Sequence, residues 1–131
     1  MIKFFMPMLP PTTTFQDKKI NWKTKSIYES SEAKAARQKL EAHLAKHKPD
    51  KPLVDEVGLR VMWVFPGDHK KLKWKKTKPD LDNLNKAFMD TMAKLGFFKD
   101  DAQVCYLSVS KCSGLAPGVF VEVGTPDEIL K

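Results

Sequence analysis

Lys78-Pro79-Asp80-Leu81-Asp82-Asn83-Leu84-Asn85-Lys86, running on through Asp90 to Gly96-Phe97-Phe98-Lys99-Asp100-Asp101-Ala102-Gln103-Val104, reads as a loop, a helix and the start of a strand. Pro79 biases Lys78 toward an extended backbone. From about Asp82 the apolar residues take helical spacing, with Leu81, Leu84, Phe88, Met92 and Leu95 on one stripe. Gly96 then stands where a helix C′ residue is expected. Gln103 to Lys111 alternates as a strand.

Upstream, Val57 to Phe65 places Val57, Leu59, Val61, Trp63 and Phe65 on one face at period two, while Met62 and Val64 make the other face partly apolar. That pattern predicts an interior strand with Trp63 in the core. Ser30 or Ser31 is a candidate cap for a helix to about His47, with Ala33, Ala36, Leu40 and Leu44 buried. Ile2 to Met6 reads as a strand. The prolines at 7, 10 and 11 predict an extended arm or loop over residues 7–28. Downstream, Val119 to Val123 reads as a strand that pairs with its sequence neighbour in an antiparallel hairpin. The fold expected is α+β: one domain over residues 1–131, with a small mixed sheet of about four strands covered by two helices in the order β-α-β-α-β-β.

The formal net charge is +7, and its distribution is uneven. Up to Pro79 there are 18 Lys/Arg against 8 Asp/Glu; from Asp80 onward there are 5 against 8. The balance suits a polyanionic partner. No apolar run approaches membrane-spanning length, so a membrane partner is not expected. Cys105 and Cys112 are expected to be free thiols in a cytoplasmic protein.

The acidic stretch follows a basic one: Lys70, Lys71, Lys73, Lys75, Lys76 and Lys78, with Trp74 among them. Carboxylates repel nucleic acid, so their place beside phosphate-binding lysines calls for a cation between them and the phosphate. Mg²⁺ prefers oxygen ligands and keeps several waters, leaving positions for a phosphate oxygen. A metal-dependent nuclease fits these residue types. The plain alternative is that Asp80 or Asp82 caps a helix and that Asp82 pairs with Lys86 one turn on. Trp74 is a candidate platform for an exposed base, or simply a packed side chain. His43 and His47 lack the glutamate of a zinc-protease motif and read as surface or interface residues. The D-x-D pair also opens haloacid-dehalogenase phosphatases, but the apolar strand those enzymes need before it is here a run of lysines.

In register, Asp80, Asp82, Asn83, Lys86, Asp90, Asp100, Asp101, Gln103 and Val104, with Lys111 beyond, resemble the RusA family of Holliday-junction resolvases, whose pattern is roughly D-x-D-N-x-x-K-x-x-x-D followed by D-D-x-Q-V. Pro10-Pro11-Thr12-Thr13-Thr14 and the lysine loop are similar to the branch carried by phages and prophages of low-GC Gram-positive bacteria. The resemblance implies a homodimeric, Mg²⁺-dependent endonuclease (with Mn²⁺ as a substitute) acting on four-way DNA junctions. It implies Asp80, Asp82 and Asp101 as catalytic carboxylates and metal ligands and Lys86 as the catalytic lysine. Asn83 and Asp100 are supporting positions, and Lys111 joins the DNA-contacting lysines. The alternatives are a non-catalytic DNA-binding module, or a nuclease of the same chemistry acting on flaps or forks.

Overall fold

The structure is a computed structural model that describes residues 1–12, 18–24, 26–29 and 31–131. Its main sheet contains β1 (Ile2–Pro7), β4 (Val57–Pro66), β5 (Lys73–Trp74), β6 (Val104–Gly114) and β7 (Gly118–Gly124). The strand order is β1-β7-β4-β6-β5. β4 and β6 are parallel, and every other pairing in this sheet is antiparallel. α1 (Ser31–Ala45), α2 (Leu81–Leu95) and a short α3 (Pro126–Leu130) complete the main body. β2 (Lys18–Asn21) and β3 (Ser26–Glu29) form a separate two-stranded hairpin.

The mixed α+β class matches the sequence expectation, with more elements than expected. The main sheet has five strands, because the lysine loop lays two residues along β6. The arm expected as irregular over residues 7–28 contains most of the β2–β3 hairpin; residues 13–17 and 25 of that arm, and the candidate cap Ser30, lie outside the described residues. A third helix follows β7, opened by Thr125 and Glu128, which bond each other's backbone amides in a capping box.

The expected hairpin between the last two long strands is absent, because β4 lies between β6 and β7. β4 is buried along nearly its whole length, so a neighbour on each edge satisfies its backbone where water does not reach. Crossing over it is within reach of the link: the four steps from Gly114 to Gly118 extend up to about 14 Å, against about 10 Å for two strand spacings. Gly118 is needed at the landing point. A Cβ there would lie 2.2 Å from the Phe5 ring and 2.5 Å from the Met6 carbonyl oxygen.

α1 and α2 pack together, and their buried residues join one face of the sheet in a single core that includes Leu40, Leu44, Leu59, Val61, Leu84, Met92 and Phe97. Trp63 is fully buried and meets Phe88 edge-on at 5.6 Å. His47 stacks on Phe4 at 4.2 Å, which gives that histidine a packing role. Both cysteines are free: Cys105 is exposed, Cys112 buried. No helix among the described residues is long and apolar enough to cross a membrane.

The β4–α2–β6 crossover decides where functional groups go. Parallel pairing sets Val57 beside Val104 and Pro66 beside Gly114. The chain leaves the end of β4, passes through the lysine loop, and enters α2 at the same end of the sheet. α2 then returns it to the start of β6. Gly96 ends α2 with φ of 91°, a left-handed conformation that glycine adopts without a Cβ penalty.

Candidate active site

Asp80 stands where the loop becomes α2, which starts at Leu81, one residue before the expected position. Its backbone is extended (φ −72°, ψ 141°), and its carbonyl accepts the Leu84 amide at 3.2 Å, as an N-cap carbonyl does. Its carboxylate makes no capping hydrogen bond. Aspartate is among the best N-cap residues, so a side chain left out of the cap forgoes about 1 kcal/mol. Asp82 and Lys86 are exposed on the first turns of α2, and no ion pair joins them. The two plain readings, a cap and a surface ion pair, are therefore absent. Asn83 is half-buried on the same turn.

Asp100 and Asp101 lie at the opposite end of α2, just before β6. Asp100 accepts the Ala102 amide at 2.9 Å and caps the short 3-10 turn Asp101–Gln103. Gln103 secures this turn with its whole amide. Its oxygen accepts the Lys99 and Asp100 amides at 2.9 and 3.0 Å, and its nitrogen donates to the Leu53 and Asp55 carbonyls at 2.9 and 3.0 Å. Asp101 is left exposed. A hydrogen bond with Asp100 raises the Asp101 carboxyl above its ordinary range, with smaller contributions from burial and from the charges of Asp100 and Asp90. The Ala102 amide, and then that same hydrogen bond, lowers Asp100.

Asp80 and Asp82 are thus separated from Asp101 by the length of the crossover. α2 has fifteen residues, a length of about 22 Å at 1.5 Å per residue. Along β6, Val104 to Lys111 covers about 23 Å. Among the described residues, no three His, Cys, Asp or Glu side chains of one protomer gather to hold a metal ion.

The lysine loop is fastened to the far end of β6. The Gly67 amide donates to the Gly114 carbonyl at 2.8 Å, and the His69 ring meets the Ser113 carbonyl at 3.0 Å and hydroxyl at 3.1 Å. β5 pairs with Cys112 and Ser113, and the Lys75 amide donates to the Lys111 carbonyl at 3.2 Å. Two of the expected DNA-contacting lysines bond inward. Lys75 Nζ donates to Thr77 Oγ1 at 2.8 Å and lies 5.1 Å from the Phe65 ring centre. Lys111 Nζ donates to the Thr77 and Pro79 carbonyls at 2.5 and 2.7 Å. Lys70, Lys71, Lys73, Lys76 and Lys78 are exposed, and Trp74 is 82% exposed. His69 was not singled out from sequence; its ring pins the loop, and one histidine in a charge run carries no signal of that.

Unpaired carboxylates at a helix start, a bordering loop of outward lysines, and an exposed aromatic ring are suited to holding a cation against a nucleic-acid backbone. Comparison with known proteins points to DNA as the substrate. The model of the family described as endodeoxyribonuclease RusA matches residues 8–124. A protein of Lactococcus phage r1t, described as crossover junction endodeoxyribonuclease rusA, is 34% identical over 88 residues, which cover 64% of this chain and 67% of the phage protein. The chain belongs to the RusA family of endodeoxyribonucleases, hydrolases that act on phosphodiester bonds.

Proposed function

We propose that this protein is a cytoplasmic, Mg²⁺-dependent junction resolvase, a homodimer that nicks opposed strands of four-way DNA junctions in recombination and repair. The observation that carries the reading is the pair of unengaged carboxylates, Asp80 and Asp82, beside a loop of outward lysines. Two hard, exposed oxygen donors with no protein partner fit Mg²⁺ or Mn²⁺ better than they fit any structural task in the fold. When bound, such an ion supplies Lewis acidity and offsets negative charge at the phosphate. Lys86, one turn above Asp82, adds a cation beside the same phosphate. The lysine loop holds the flanking backbone, and Trp74 offers a face for a base unstacked at the branch point.

The third carboxylate comes from a second copy. Asp101 is about 20 Å from Asp80 along its own chain, too far to share an ion. Among the described residues, the outer edge of β6 is paired by β5 only at Cys112 and Ser113, leaving Val104 to Ser110 open. Antiparallel pairing of this edge with itself, about a two-fold axis near Leu107 and Ser108, would set Val104 opposite the partner's Lys111. Each Asp101 would then approach the partner's Asp80 and Asp82 across a strand spacing of about 5 Å. Pairing through β1, at the other side of the sheet, would keep the half-sites apart. A C₂ dimer built this way has two composite sites, the number needed for two symmetric nicks.

The test is nicking of a synthetic four-way junction in Mg²⁺, compared with a flap, a fork and plain duplex of the same sequence. Paired nicks on the junction, lost in Asp82→Asn with junction binding kept, support the reading. Binding without nicking under any divalent ion would make the protein a non-catalytic module. Faster cleavage of the flap or fork would reassign the substrate.

A further inference from the structure

We propose that Lys111 is a positioning residue that sets the direction of the Asp80 carboxylate. This rests on the reading of Asp80 as a cation ligand. Lys111 is on β6, yet its ammonium reaches across to the loop and donates to the Thr77 carbonyl at 2.5 Å and the Pro79 carbonyl at 2.7 Å. Such short contacts are typical of charge-assisted hydrogen bonds. Among the described residues no carboxylate forms an ion pair with this ammonium, and its charge is directed at two backbone oxygens of one loop.

The consequence follows from peptide geometry. The Pro79 carbonyl belongs to the planar unit that joins Pro79 to Asp80. Fixing that oxygen fixes the plane, and with it the position of the Asp80 nitrogen and Cα. The plane on the other side of Asp80 is held by α2, because the Asp80 carbonyl accepts the Leu84 amide at 3.2 Å. Both peptide planes flanking Asp80 are therefore anchored, one by Lys111 and one by the helix. The side chain, free of any capping bond, is left with only its own rotamers. Pro79 is buried and the backbone of Lys75 is tied to Lys111, so the loop has little freedom to take up slack. A lysine here does by side chain what a capping bond would otherwise do: it orders the residue while sparing its carboxylate.

Lys111→Met removes the donors and keeps most of the stem. The concentration of Mg²⁺ giving half-maximal junction nicking should rise by roughly 10–100-fold, the usual effect of removing a group that orients a metal ligand. The rate at saturating Mg²⁺ should be largely kept, as should junction affinity in EDTA, since the ammonium bonds inward. Lys111→Arg, which can still donate to both carbonyls, should recover most of the Mg²⁺ affinity. An unchanged Mg²⁺ requirement would overturn the proposal, as would a loss of EDTA affinity matching that of Lys76→Met. Should the Met variant fail to fold, Lys111→Gln serves the same comparison. A second readout needs neither metal nor DNA. In the metal-free protein, the Asp80 and Leu81 amide resonances should shift in the Met variant and the Leu84 amide should exchange faster. Unmoved amides would refute the clamp itself. Wild-type protein that never nicks in Mg²⁺, but whose Met variant shows these shifts, would refute only the reading of the site.

Discussion

Mixing two dead proteins should restore activity. Asp82→Asn and Asp101→Asn each remove one carboxylate from every site of a homodimer, and each variant alone is expected to leave a junction uncut. In a dimer formed from one of each, a composite site drawing Asp82 from one protomer and Asp101 from its partner takes two forms. One site carries both substitutions. The other carries neither. Random exchange makes about half of the dimers mixed, so about a quarter of the wild-type number of sites is intact. Each mixed dimer has a single working site, so it nicks once and does not resolve. On a supercoiled plasmid that extrudes a four-way cruciform, wild type should give linear product, the mixture open circles, and each variant alone supercoiled plasmid. The signal rests on the separation of the carboxylates along α2, about 22 Å from one end to the other. If all three carboxylates met within one protomer, every site in the mixed dimer would be defective. A mixture as inactive as its components, after exchange is verified by mass, would refute the composite site. Linear product would refute it too, because it requires two intact sites.

Substituting Lys73, Lys76 and Lys78 together with Ala should flatten the log–log salt dependence of junction binding by roughly two to three units per protomer, at about 0.9 per phosphate contact; an unchanged slope would make the loop a bystander. The same changes at Lys75 and Lys111 should alter it little, because those ammonium groups already bond inward. Trp74→Ala should weaken junction binding by about 1–3 kcal/mol if the ring stacks on an exposed base, with little effect on duplex; equal losses on both would show that it reads only backbone. Asp80→Ala should leave the thermal midpoint almost unmoved, whereas Asp100→Ala should lower it measurably, because only Asp100 makes its capping bond. A comparable drop at Asp80, measured by calorimetry, would show a cap in solution.

Much of the fold could be read from periodicity. α2, the buried β4 and the strands on either side of it in sequence come directly from apolar spacing. What the spacing does not contain is which strand lies beside which. β6 and β7 alternate and are joined by three residues, and local turn rules favour a hairpin there. Only the demand of β4 for a partner on both edges pulls them apart. β5 is two residues long and exists because β6 offers it an edge. α3 was readable in principle, since Thr125-Pro126-Asp127-Glu128 carries the signature of a capping box. At the site, the residue types were readable and their distances were not. The motif lists Asp80, Asp82 and Asp101 as though they were neighbours, and the crossover puts a helix length between them.

The helical starts of this chain give one more reason to place function at Asp80. Thr125 begins α3 with its hydroxyl on the Glu128 amide, and Asp100 begins the 3-10 turn with its carboxylate on the Ala102 amide; both are closed from the other side by a Glu or Gln three residues on. Local hydrogen bonding is complete at these two, where the helices are shortest and have little burial to rely on. α2 is three times as long as α3 and buries Leu84, Phe88 and Met92, so it can tolerate an unfilled cap. The stability forgone is small beside the roughly 1.5–3 kcal/mol that each buried apolar side chain contributes. A strong capping residue that does not cap, at the start of a long, well-buried helix and beside outward lysines, is a local rule broken where the fold can bear it. Such exceptions are expected at functional sites. Here the exception falls on the first aspartate of the family motif, and the loop that presents it is held from beneath by Lys111, so its backbone is anchored while its carboxylate makes no capping bond.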